Sequence, residues 1–165
     1  LDVGCYPMSM ARLVAGIGRG GRPAEPLSVK GSALLHPQEK TDMVASALLE
    51  FPGGILAQLN AGLKLQQENQ VRVFGEKGSV TMNQPWFARG AGASLVVRGG
   101  QGEIIQEIST YVDIDLYVHE IELTAASLKL GQAPYPAMTW EDTLGNMRAL
   151  ELWLKEAGVV YDATG

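Results

Sequence analysis

The sequence holds one cysteine, Cys5, and two histidines, His36 and His119, in 165 residues. A single thiol cannot close an internal disulfide, so the fold stands without one and suits a reducing compartment. One cysteine and two distant histidines do not assemble a metal site. Thirteen Lys and Arg face 18 acids, a net charge of −5, and no basic run is interleaved with aromatics. That argues against nucleic acid as a partner, because phosphate binding needs clustered cations. No apolar run approaches the roughly 20 residues that span a bilayer, and no signal-peptide pattern opens the chain. A cytoplasmic location without membrane contact is the expectation. What is present, 46% apolar and 19% charged residues, is the composition of a globular chain long enough for one domain with a single core, spanning 1–165. The chain opens on Leu1 inside an organised motif, so a longer parent protein is expected.

That opening motif, residues 1–16, organises the rest. Its second half predicts a helix with Met8, Ala11 and Val14 or Ala15 on one apolar face and Gly16 as its stop. Its first half carries a carboxylate and a phenol four residues apart, Asp2 and Tyr6. If the helix starts early, both side chains share a face one turn apart and form a proton-transfer pair. Pro7 is at home in a first helical turn, which needs no amide donor from it. The plainer alternative makes Tyr6 a half-buried aromatic with a satisfied hydroxyl and Asp2 an acid favoured by the helix dipole.

Behind the helix, Gly16-Ile17-Gly18-Arg19-Gly20-Gly21 fits the G-x-G-x-x-G dinucleotide fingerprint. The fingerprint needs a strand before it and a helix after it. Here a helix precedes, and Pro23 and Pro26 block a following one, so the segment reads as a loop. Strand patterns occupy 27–35, 43–51, 55–65, 70–74, 79–82, 95–98 and 103–108, with turns at 36–40, 51–54, 75–78 and 99–102. In 55–65 the alternation puts Ile55, Ala57, Leu59 and Ala61 on one side and Gln58 and Asn60 on the other. Two helices follow. Residues 113–130 carry a stripe of Tyr117, Ile121, Ala125 and Leu128. The last helix starts from an N-cap at Thr139, carries Trp140, Leu144, Met147, Leu150 and Leu154, and closes at Gly158. Helix, many short strands, then two helices predicts an α+β fold: an open, mostly antiparallel sheet with helices packed on one face.

Three stretches carry a resemblance: Leu1-Asp2-Val3-Gly4-Cys5-Tyr6-Pro7 leading into a helix with Arg12 and Gly16; Leu49-Glu50-Phe51-Pro52-Gly53-Gly54 with Val73-Phe74-Gly75-Glu76-Lys77-Gly78-Ser79-Val80; and 149–158 at the final helix. Together they resemble the C-terminal domain of the Gfo/Idh/MocA oxidoreductases, in the branch of glucose–fructose oxidoreductase and dihydrodiol dehydrogenase. The resemblance implies an N-terminal Rossmann domain, absent from this chain, that binds NADP or NAD and supplies a catalytic lysine. It implies hydride transfer between nicotinamide and a sugar, polyol or diol-like substrate. Tyr6 would exchange the substrate hydroxyl proton and Asp2 would orient the substrate or tune that transfer. A free phenol ionises near pH ~10, so Tyr6 needs a nearby cation to act as a base, and these residues alone are not expected to turn over. The competing class is a non-catalytic sheet module for oligomerisation or ligand binding.

His119 is a pocket-lining candidate on its helix, with a structural role as the plainer reading, and His36 is a turn residue. Cys5 reads as a small buried apolar residue, Lys64, Arg72 and Arg89 as sheet-face or loop charges, and Trp86-Phe87 as an apolar pair over a sheet edge or a subunit contact. Val44, Leu48 and Leu56 share the second sheet face with Ser46, Gln58 and Asn60, a composition that predicts a homo-oligomer through that face.

Overall fold

The computed structural model describes residues 1–18, 20–87 and 90–160, of which 90–92 by backbone alone. Helix α1 (Cys5–Ile17) is followed by strands β1 (Ser28–Leu35), β2 (Asp42–Phe51) and β3 (Ile55–Gly62). Next come β4 (Gln70–Gly75), β5 (Gly78–Asn83), β6 (Gly90–Gly99) and β7 (Ile104–Val112), and finally helices α2 (Leu116–Ser127) and α3 (Trp140–Glu156). The expected α+β class with open antiparallel sheet structure is present, its strands divided between a sheet ordered β1-β2-β3 and another ordered β4-β5-β6-β7. The chain forms two compact units, one of Leu1–Gln67 with Tyr135–Gly165, the other Glu68–Pro134.

In the first unit, alternation along β2 and β3 decides the faces. Ala45, Ala47, Leu49 and Phe51 of β2 and Leu59 and Ala61 of β3 are buried, while Ser46, Leu48, Glu50, Gln58 and Asn60 point away. The β2–β3 hairpin closes at the Phe51–Ile55 pair, and Gly53 and Gly54 take φ of +88° and +77°, which L side chains rarely adopt. Helices α1 and α3 cover the buried face, α3 against β1 and α1 against β3. Trp153 of α3, with no exposed surface, sits at the centre of that core with Met8, Val29, Leu49 and Phe51. Gly31 of β1 has no side chain because a Cβ there would lie 2.6 Å from the Trp153 ring. The indole Nε1 donates to the Ser46 carbonyl at 3.1 Å, so α3 is fastened to the middle strand as well.

Helix α3 departs from the expected face. Its start is as predicted: Thr139 and Asp142 form a reciprocal capping box. Of the expected face Leu150 is buried, but Trp140, Leu144 and Met147 are exposed, and the other buried residues are Gly145, Asn146, Ala149 and Trp153. The packed side is the one with small residues, because α1 and β1 approach the α3 backbone closely there. Gly16 is likewise not a stop. Helix α1 continues to Ile17, and Gly16 is buried because the Arg22 carbonyl packs where its Cβ would be.

In the second unit, β4 to β7 form a meander. Gly75 pairs with Gly78 across the two-residue turn Glu76-Lys77. A polar ladder crosses the sheet: Gln70 Nε2 donates to Asn83 Oδ1 (2.6 Å), and Asn83 Nδ2 donates to Ser94 Oγ (2.9 Å). Helix α2 begins at Asp115, whose carboxylate accepts from the Tyr117 amide at 3.1 Å. The predicted stripe of α2 is not a buried one, since Tyr117, Ile121 and Leu128 are all exposed and only Ser127 is buried.

Candidate functional site

Asp2 lies in a turn before α1, and the helix opens at Cys5, so Asp2 is not the helical neighbour that an earlier start would have made it. Both Asp2 and Tyr6 are exposed, Tyr6 at 53%. Pro7 is the third residue of the helix, inside the first turn where amides have no intrahelical acceptor. Between them, the Cys5 thiol donates to the Asp2 carbonyl at 3.1 Å. Burial, and then the Asp2 charge, push this thiol above its ordinary range, so it stays protonated at neutral pH.

Below this exposed turn, α1 is held by three contacts. Arg12 has 2% of its side chain exposed and lies on the same face as Met8 and Ala15. Its Nη2 pairs with Glu25 Oε1 at 2.7 Å, and its Nη1 donates to the Asp142 carbonyl at 3.0 Å. Arg148 approaches the same Glu25 oxygen at 3.6 Å. Gly145 makes this possible, because a Cβ there would occupy the place of the Arg12 guanidinium and the Glu25 carboxylate. The second contact is Asn146, buried in α3, whose Nδ2 donates to the Cys5 carbonyl at 3.2 Å. The third is the Trp153 ring, 3.4 Å from where a Cβ on Gly4 would be. Sequence reasoning did not find this network. Its one visible signal was a charged residue, Arg12, at helical spacing from Met8 and Ala15 inside an apolar face.

Asp2 and Tyr6 are exposed residues of the first unit, while His119 is exposed on α2 in the second. His36 is a turn residue whose Nδ1 accepts from the Glu39 amide at 3.1 Å. Lys64 is exposed, Arg72 pairs with Glu68 at 3.4 Å, and Phe87 is exposed beside a partly buried Trp86. Arg89 lies outside the described residues. The glycine fingerprint at 16–21 follows α1 and precedes β1, with the Gly21 amide bonded back to the Gly16 carbonyl. Its order is the reverse of the strand–loop–helix that aims amides at a pyrophosphate, so these residues do not fit a dinucleotide.

The first unit is an antiparallel sheet covered by two helices, with an exposed tyrosine in the first turn of α1. Residues 1–81 match the family model of the Gfo/Idh/MocA C-terminal domain. An uncharacterised oxidoreductase of Rhizobium meliloti is 28% identical over 90% of this chain and 43% of its own length. The dTDP-3,4-didehydro-2,6-dideoxy-α-D-glucose 3-reductase of Streptomyces violaceoruber is 34% identical over 52% of this chain and 23% of its own. The 3-ketoreductase KijD10 of Actinomadura kijaniata, solved with TDP-benzene and NADP, superposes with a TM-score of 0.73 at 21% identity, over 92% of this chain and 45% of that one. Over residues 1–81 the chain is thus similar to the C-terminal domain of the Gfo/Idh/MocA proteins. It spans less than half the length of these relatives.

Proposed function

We propose that these residues form the substrate-side domain of an NADP- or NAD-dependent oxidoreductase that moves hydride between nicotinamide and a sugar, polyol or diol-like substrate. The dinucleotide is held outside them, by a Rossmann domain of the whole protein. Support comes from the family-model match over residues 1–81, and from relatives whose names describe a sugar 3-reductase and a 3-ketoreductase. In this reading these residues alone do not turn over, because the dinucleotide is held elsewhere.

The observation that carries the reading is the exposed Tyr6 at the mouth of a helix whose underside is locked into the core. In this reading the Tyr6 phenolate oxygen accepts the substrate hydroxyl proton as hydride leaves for nicotinamide on oxidation, and the neutral phenol returns it to the carbonyl oxygen on reduction. Asp2, exposed in the preceding turn, orients the substrate or tunes that exchange. His119 is retained only as a substrate-lining candidate. A second copy docks on the outward face of β1-β2-β3, where Leu34, Leu48 and Leu56 are exposed. A cytoplasmic enzyme fits a chain in which no described helix is long and apolar enough to cross a membrane.

The test is Tyr6→Phe in the whole protein. Turnover is expected to fall roughly 10²–10⁴-fold, the range for a lost general acid–base, with cofactor affinity unchanged. Wild-type turnover in that variant removes Tyr6 from the chemistry. Failure of the whole protein to bind any nicotinamide cofactor favours the non-catalytic sheet module instead.

A further inference from the structure

We infer that Asn146 is a positioning residue for Tyr6: its side-chain amide, reaching from α3, fixes the peptide plane from which Tyr6 projects. This deepens the functional reading above and rests on it. The Cys5 carbonyl that Asn146 Nδ2 grips at 3.2 Å belongs to the peptide unit joining Cys5 to Tyr6. A helical carbonyl at this position is already served by the amide four residues on, so the contact is not needed to satisfy the backbone. It comes from a residue 141 positions away and acts on the first turn, where α1 has no side-chain cap of its own and would otherwise fray.

Asn146 is also a poor choice for stability. The residue is 6% exposed and its Oδ1 is buried without a hydrogen-bond partner. Leucine has the same branched arrangement of side-chain heavy atoms, though a larger bulk, and would leave no orphan acceptor. A buried amide kept at such a cost, with its single recorded hydrogen bond directed at the turn that carries Tyr6, has a role in geometry. The supporting contacts have the same effect. Trp153, two turns along the same face of α3, lies under Gly4, and Arg12 anchors α1 farther down through the Asp142 carbonyl. Helix α3 thus grips α1 at its start and near its middle, and Asn146 is the contact nearest the phenol-bearing residue.

A double-mutant cycle in the whole protein tests this. Asn146→Leu is expected to lower kcat roughly 10-fold or more, since small misplacements of a reacting group are costly. KM for the cofactor and the melting temperature should stay near wild type. On a Tyr6→Phe background the same substitution is expected to cause no further loss. In 15N-labelled protein the Tyr6 amide resonance should shift or broaden in Asn146→Leu. Multiplied losses in the double variant, or wild-type kcat in Asn146→Leu, overturn the inference. Wild-type turnover in Tyr6→Phe alone overturns the functional reading, and is recognised because it appears without any change at Asn146. If Asn146→Leu does not fold, Asn146→Ala, which adds no bulk, carries the same cycle.

Discussion

A guanidinium almost wholly withdrawn from water must be matched by charge and hydrogen bonds, and for Arg12 the match comes from two separate segments, Glu25 and the Asp142 carbonyl of α3, with Gly145 leaving the room. Even so its Nε lacks a partner. Glu25→Gln should therefore destabilise the fold by about 2–4 kcal/mol in urea unfolding, somewhat below a fully buried pair because Glu25 is half exposed. Cys5 offers a second residue-scale check. Its thiol titrates above the ordinary range through burial first and the Asp2 charge second, so the reactive thiolate is scarce at pH 8. Alkylation by iodoacetamide should be slower than for an unfolded control, and Asp2→Asn should speed it without reaching the control rate. An unchanged rate in Asp2→Asn would show that the Asp2 charge does not reach the thiol. Asp2 and Tyr6 were both visible in the sequence as candidates, from their spacing around the predicted helix start. Arg12 and Asn146 were not, because their partners lie 13 and 141 positions away.

At the scale of elements, α3 does most to hold the first unit together. Trp153 touches the α1 entry, β1 and the β2 backbone at once. Trp153→Ala should cost about 3–5 kcal/mol, the usual range for emptying a large aromatic site. Gly31→Ala, which drives a methyl against the indole, should cost about 1–3 kcal/mol by overpacking. Both are read from thermal or urea unfolding, and a neutral Gly31→Ala would mean that the strand and helix have room to separate. The capping box of α3 and the turns of the hairpins were readable beforehand, since each is decided by a few neighbours in sequence. The buried face of α3 was not. Periodicity selected the bulky Trp140, Leu144 and Met147, while the contact with α1 and β1 required Gly145, Asn146 and Ala149.

For the whole molecule, the outward face of β1-β2-β3 carries the expectation of self-association. It presents Leu48 and Leu56 around Ser46, Gln58 and Asn60, with the Ser46 hydroxyl bonded to Asn60 Oδ1 at 2.7 Å. The polar groups at its centre are thus partly satisfied within the chain, which lowers the cost of covering them. Light scattering of the whole protein at roughly tens of micromolar, a range that populates a modest dimer, should give at least a dimer mass. Leu48→Glu with Leu56→Glu should return it to a monomer. A monomeric wild type would end this expectation while leaving the Tyr6 reading intact.

The sequence by itself determined the α+β class, the strand and hairpin positions, the start of α3 and the tyrosine at the head of α1. All of these depend on local patterns: alternation, turn glycines, caps and the tolerance of a first turn for proline. Only the tertiary structure decided that the strands divide between two sheets, that Arg12 and Asn146 lie inside, and that Gly16, Gly31 and Gly145 are contact points. The physical reason is close packing. Where two backbones meet within the reach of a methyl group, the residue that fits is chosen by the opposing surface, and a small or polar residue there carries no local signature of its burial.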